Sequence, residues 1–202
     1  LTLPLFDPQF QSGHLESRIL VALERLSEVF RVLLWEAAWP SGLSPLQLQI
    51  LLFCDGHRPE WCRVAGLARE FNLTRPTISD AVRALVGKGM LERVVDPADG
   101  RSHCLRLLPA GKDLALRSGA FAGPVWSALQ QMEKGDQSQF YGSLLGLIDR
   151  LQQAGVISLS RMCFTCRHYR SGEGGHYCAL LEKVLATADL RIDCPEHAFP
   201  QG

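Results

Sequence analysis

The sequence predicts a mainly α-helical fold built around a winged helix-turn-helix. Three observations carry that prediction. Two apolar-periodic segments meet at a tight turn near Asn72. The second, capped by Thr74, repeats Ile78, Val82 and Leu85 at i, i+4 and i+7 and stops at Gly87-Lys88-Gly89. Two strand-like runs follow, Leu91 to Val95 and His103 to Leu108, joined by Asp96-Pro97-Ala98-Asp99-Gly100-Arg101, which reads as a turn. A helix pair backed by a basic-tipped hairpin is the winged arrangement.

The remaining elements follow in chain order. Residues 1–11 read as a lead-in arm. A long helix is expected from Leu15 to Trp39, with the stripe Leu15, Ile19, Ala22, Leu26, Val29, Leu33 and Ala37. Val21, Leu23, Phe30, Leu34 and Trp35 widen that stripe past what one small domain covers, so the excess reads as a dimer surface. Pro40-Ser41-Gly42 breaks the helix. Ser44-Pro45-Leu46-Gln47 restarts one as a capping box with proline in the first turn, running to about Cys54. Asp55 to Pro59 reads as a loop, and Val64, Leu67, Ala68 and Phe71 as a short third helix. After the hairpin a helix begins at Ala110, is interrupted by Gly119, Gly123 and Pro124, and resumes to about Lys134. Asp136 to Gln139 reads as a second capping box. The last long helix carries Phe140, Leu144, Leu147 and Leu151 and ends at Gly155. Four parts result: an arm and dimerisation helix over residues 1–40, the winged domain over 41–110, C-terminal dimerisation helices over 111–157, and a Cys-rich appendage over 158–202.

Composition narrows the class. With 202 residues, 47% of them hydrophobic, the chain fills one core with room for a small appendage. Its formal net charge is zero, but the charge is unevenly placed. From Arg58 to Lys112 ten cations face six anions, a local excess suited to phosphate contact. Pro4, Asp7 and Pro8 interrupt the apolar N-terminal residues, and the run Ile50 to Cys54 is too short to span a bilayer. The expectation is a cytoplasmic protein without a membrane partner. There, seven cysteines point to metal or thiol chemistry rather than a disulfide framework.

The expected reader is the helix from Thr74. Arg75, Thr77, Ser79 and Arg83 lie on or beside the face opposite its apolar stripe. Short polar side chains near a helix N-terminus let backbone amides approach phosphates, and the arginines reach base edges. Arg101 at the hairpin tip suits a narrow minor groove, with Asp99 placed to extend its guanidinium.

The run Val82 to Arg93, then Asp96 to Ser102, then Leu105 to Gly111, resembles the pattern of MarR-type regulators over roughly residues 10–155. The resemblance rests on the leucine before Lys88-Gly89, the strand ending in Arg93, and the Asp-x-Arg wing tip at Asp99 to Arg101. It implies a homodimer on a pseudo-palindromic double-stranded DNA operator, usually a repressor released by a small ligand or by oxidation. It implies major-groove reading by Arg75, Thr77, Ser79 and Arg83, with Asp99 and Arg101 serving the wing. Pro109 departs from the threonine that often caps the next helix in the family.

Residues 161–202 lie outside that resemblance. Cys163-x-x-Cys166 is followed by Cys178 after eleven residues and Cys194 after fifteen more. Ser171 to Gly175 between them reads as too flexible to fold unaided. The four cysteines read as thiolate ligands to one centre, since a tight knuckle loses little entropy on closing. A single knuckle and Cys194-Pro195 favour an iron–sulfur cluster over zinc, with Arg161, Arg167, Arg170 and Arg191 to offset its charge. His168, His176 and His197 are alternative ligands. Cys54, Cys62 and Cys104 read as isolated buried side chains. The leading function is a dimeric DNA-binding regulator whose metal centre senses redox or iron status. The alternatives are a structural zinc with a small-molecule effector, or a redox enzyme or electron carrier. No dinucleotide, Walker or zinc-protease motif supports an enzyme.

Overall fold

Helix α3, Pro45–Gly56, starts on the capping box of Ser44 and Gln47: Gln47 N–H donates to Ser44 Oγ at 3.2 Å, and Ser44 N–H to Gln47 Oε1 at 3.0 Å. It belongs to a computed structural model that describes residues 3–96, 99–157, 161–172 and 175–200; the side chains of residue 96 and of residues 99–102 fall outside that description. Two helices precede α3: α1, Pro8–Gly13, and α2, Leu15–Ala38. The expected N-terminal arm is therefore partly a short helix, capped by Asp7, and Ser17 donates to the Leu5 carbonyl to seat it. α3 also runs two residues beyond Cys54, into the segment read as a loop.

The reader follows as expected. α4 spans Val64–Glu70 and α5 spans Arg75–Gly87. Between them Asn72 takes φ +52°, a left-handed conformation that asparagine tolerates better than most side chains. Strand β1, Leu91–Asp96, pairs antiparallel with β2, Asp99–Leu107, with Leu91 opposite Leu107 and Glu92 opposite Arg106. β2 begins four residues earlier than the sequence suggested, because Asp96 pairs with Asp99 across a register shift.

The core lies where these elements meet. Leu48, Ile50, Leu51, Leu67, Ile78, Val82 and Leu85 are fully buried, with Leu91, Leu105 and Leu114 beside them. Each such side chain contributes about 1.5–3 kcal/mol by leaving water. Helix α6, Pro109–Ser118, closes the base of the hairpin. Pro109 sits in its first turn, and Leu108 at the cap position offers no side-chain cap. Gly111 is required there, since a Cβ would run into the Met90 carbonyl oxygen.

Helix α7 spans Gly123–Gln130, shorter than expected, and α8 spans Lys134–Gln153. The second capping box does not form. α8 starts at Lys134, and the Gln137 side-chain amide donates instead to the Leu129 and Met132 carbonyls at 2.8 and 3.0 Å. Nor is the stripe of Phe140, Leu144, Leu147 and Leu151 the buried one. The buried residue is Leu145, flanked by Tyr141 and Ile148.

That second stripe carries the appendage. Leu145 packs with Met162, Leu185 and Leu190 in a small core of its own. The appendage is a three-stranded antiparallel sheet: β3, Tyr169–Gly172, β4, Gly175–Cys178, and β5, Lys183–Leu185, in that order. Ser171, Gly172 and Gly175 of the glycine-rich segment thus lie in paired strands, with Gly172 opposite Gly175, whose φ is +89°. Among the described residues, no helix is long and apolar enough to cross a membrane.

Candidate functional site

α5 is held by its apolar face and shows its polar one. Thr74 Oγ1 accepts from Thr77 N–H at 3.3 Å and lies 2.8 Å from Thr77 Oγ1, so the cap is closed by two threonines. Ile78, Ala81, Val82 and Leu85 are buried beneath. Arg75, Thr77 and Arg83 are exposed, and Ser79 is half-buried at the edge. Arg83 Nη1 meets Asp80 Oδ1 at 2.9 Å with both side chains more than two-thirds exposed. A solvated pair of this kind is weak and releases its guanidinium readily. Four of the residues expected to read DNA therefore share one outward surface. The backbone of Asp99 and Arg101 lies in β2; their side chains are outside the described residues.

The local cationic excess is smaller in space than in sequence. Arg58 pairs with Glu196 at 2.9 Å, Arg106 with Glu92 at 2.7 Å, and Lys88 Nζ donates to the Gly42 carbonyl at 3.0 Å.

The four C-terminal cysteines come together. Cys163, Cys166, Cys178 and Cys194 line one cavity of about 40 Å³, covered by Leu180, Leu181 and Leu185 and bordered by His168 and Arg191. All four are free and partly buried. Three turns of chain deliver them. Cys163 opens a short 3₁₀ turn to Thr165, and Cys166 N–H closes it on the Cys163 carbonyl at 2.9 Å. Cys178 ends β4, and Cys194 follows a bridge between Arg161 and Asp193. Arg191 N–H donates to Cys163 Sγ at 3.2 Å, and Arg191 Nη1 lies 3.9 Å from Cys194 Sγ. Burial pushes the Cys163 thiol up, and the three neighbouring thiols add to that against the Arg191 N–H. Among the described residues, no three His, Cys, Asp or Glu side chains converge as a set for a single metal ion.

The other expected partners sort differently. Of the four arginines expected near the thiols, Arg191 borders the cavity. Arg161 is turned away and pairs with Glu70 and Asp193. Arg167 donates to His168, and Arg170 to the Arg167 and Tyr169 carbonyls. His176 bonds the Tyr169 hydroxyl and His197 the Thr165 hydroxyl, and neither lines the cavity. Cys54, Cys62 and Cys104 are not isolated from one another. They line one groove beside the hairpin, and a hydrogen bond to Cys62, with burial, holds the Cys54 thiol protonated. Sequence reasoning missed the pairing of Arg161 with Glu70 altogether; its partners are 91 positions apart, and no local signal marks them.

Residues 41–102 match the MarR family model. An HTH-type transcriptional regulator of Mycobacterium tuberculosis is 42% identical over 52 residues, 26% of this chain and 33% of that protein. The chain thus spans about a third of the length of the curated relatives it matches. The fold is similar to that of the S. aureus MepR–DNA complex, with TM-score 0.56 and 19% identity over 65% of this chain and 96% of that one. It is also similar to a MarR transcriptional regulator from Methanosarcina mazei Go1, with TM-score 0.57 and 19% identity over 67% of this chain and 97% of that one. Hairpin, helix pair and family match coincide: residues 41–102 are similar to the MarR family, and the fold around them is that of a winged helix-turn-helix.

Proposed function

We propose that the chain is a homodimeric, sequence-specific DNA-binding transcriptional repressor whose C-terminal cysteines hold an iron–sulfur cluster that senses redox or iron status. The observation that carries the DNA reading is the outward surface of α5. It presents Arg75, Thr77, Ser79 and Arg83 beside a two-stranded wing, and among the described residues no buried partner holds either arginine. Helix N-terminal amides and short hydroxyls suit phosphate contact, and the arginines suit base edges.

The occupant proposed for the exposed face of α2 is a second copy. Val29, Val32 and Trp35, on one side of the helix, are each at least 40% exposed, and Phe30 beyond them is 43% exposed; large exposed apolar side chains of this kind mark an interface. Phe140 and Leu151 on the outer stripe of α8 extend the same expectation. Two reader helices related by a two-fold axis match a pseudo-palindromic site.

The cluster reading rests on the donor set. Four thiols surround a small apolar-walled cavity instead of meeting at a point, which suits a group wider than one ion. A backbone N–H to sulfur, as from Arg191 to Cys163, is the contact that tunes such a cluster. When bound, the cluster supplies a redox-responsive charge and a removable cross-link among three loops. A small organic effector has its own candidate seat in an open groove of about 680 Å³ lined by Trp126, Leu129, Phe140 and Tyr141.

The test has two parts. Selection from a random duplex library with anaerobically purified protein is expected to yield an inverted repeat bound with a steep salt dependence. Recovery of unrelated sequences would refute specific reading. The same preparation is expected to be brown with stoichiometric iron; a colourless, zinc-loaded protein would refute the cluster.

A further inference from the structure

The cysteine module is bolted to the reader by a buried arginine. Arg161, two residues before Cys163, is 4% exposed. Its Nη1 donates to Glu70 Oε2 at 2.6 Å and its Nε to Asp193 Oδ1 at 2.7 Å. The guanidinium carbon stands 5.2 Å from the Phe53 ring centre and 4.8 Å from that of Trp61. His57 Nε2 lies 2.6 Å from the other oxygen of Asp193. Arg161 and Asp193 are both tied to cysteines, Arg161 by its place two residues before Cys163. Asp193 precedes Cys194, and Cys194 N–H donates to the Arg161 carbonyl at 3.1 Å.

The far end of the chain of contacts is the turn into α5. Glu70 is the last residue of α4, where a carboxylate opposes the helix dipole and needs a cation. Two residues on, Asn72 Nδ2 donates to the Val156 carbonyl at 3.4 Å. The last turn of α4 and the turn after it are thus both held from the C-terminal third of the chain.

We propose that the Glu70–Arg161–Asp193 clamp makes the thiol centre a regulator of the recognition helix. This rests on reading the four cysteines as a cluster site. A filled centre fixes Cys163 and Cys194, and with them Arg161 and Asp193, because it removes the freedom of the loops between them. An empty centre leaves that segment to the small core of Leu145, Met162, Leu185 and Leu190. Arg161 is costly to bury with one partner gone, so the clamp engages or lets go as a unit. When it lets go, the end of α4 and the turn before Arg75 loosen, and α5 loses its fixed presentation.

Hydrogen–deuterium exchange on the full chain tests this, comparing iron-loaded native protein with Cys178→Ser and with Glu70→Gln. Glu70 is near the surface, so its amide variant keeps the fold. The expected result is roughly ten-fold faster exchange over residues 66–78 in both variants, with the rest of the winged domain unchanged. Native protein that holds iron, with a Cys178→Ser variant that loses it and exchanges like native over residues 66–78, overturns the clamp and leaves the centre standing. Native protein without iron overturns the centre, and the proposal falls with it.

Discussion

Arg161 and Glu70 lie 91 positions apart in sequence and 2.6 Å apart in space, and their contact joins a cysteine knuckle to the helix in front of the reader. Arg161→Met keeps the side-chain volume and removes the charge from between Glu70 and Asp193. Those carboxylates are 22% and 43% exposed, so water relieves part of the loss. The expected destabilisation is about 2 kcal/mol, below the cost of breaking a fully buried pair. A urea titration checks it: the midpoint falls and the slope stays.

Arg83→Ala and Arg75→Ala separate reading from folding. Arg83 touches Asp80 through solvent-exposed atoms, so its loss leaves thermal stability unchanged within about 0.5 kcal/mol. Affinity for the selected duplex falls roughly ten-fold or more, and the salt slope drops by about one for each arginine that contacts phosphate. Fluorescence anisotropy over a salt series measures both.

Trp35→Glu places a charge on the exposed face of α2, where Trp35 stacks on Trp39 at 5.6 Å. Sedimentation is expected to show native protein as a dimer and the variant shifted to monomer. Its affinity for a full inverted repeat then falls toward that for a half-site.

Gly111→Ala tests the closure of the hairpin base. The added methyl meets the Met90 carbonyl oxygen, a backbone atom that cannot swing aside, and stands 3.2 Å from Leu107 Cδ2. A loss of about 1–3 kcal/mol is expected, read as a lower thermal midpoint with the α6 amides exchanging faster.

What the sequence disclosed follows how local each cause is. The caps of α3 and α5 are three residues wide, so Ser44–Gln47 and Thr74–Thr77 were readable as written. The similar pattern at Asp136 failed because the Gln137 amide found carbonyls in the preceding turn, a competition that capping rules do not rank. On α8 two apolar stripes have comparable strength. Which one is buried was decided by Met162, Leu185 and Leu190 arriving from the appendage, not by the helix itself. The four cysteines announced themselves by spacing. The glycines of residues 171–175 suggested a loose loop, but Tyr169 opposite Cys178 and Phe164 against the Tyr169 ring give the hairpin enough side-chain contact to form. Arg161 stood out only as a cation near the thiols; its pairing with Glu70 carried no signal, since it depends on chain segments that meet only after folding.

The most direct measurement is the affinity of the selected duplex, at fixed salt, for the same preparation with its iron in place and after the iron is stripped. Coupling between thiol centre and reader predicts dissociation constants that differ at least roughly ten-fold, with the gap narrowed in Glu70→Gln. Equal affinity in both states, with iron content confirmed before and gone after, would contradict it.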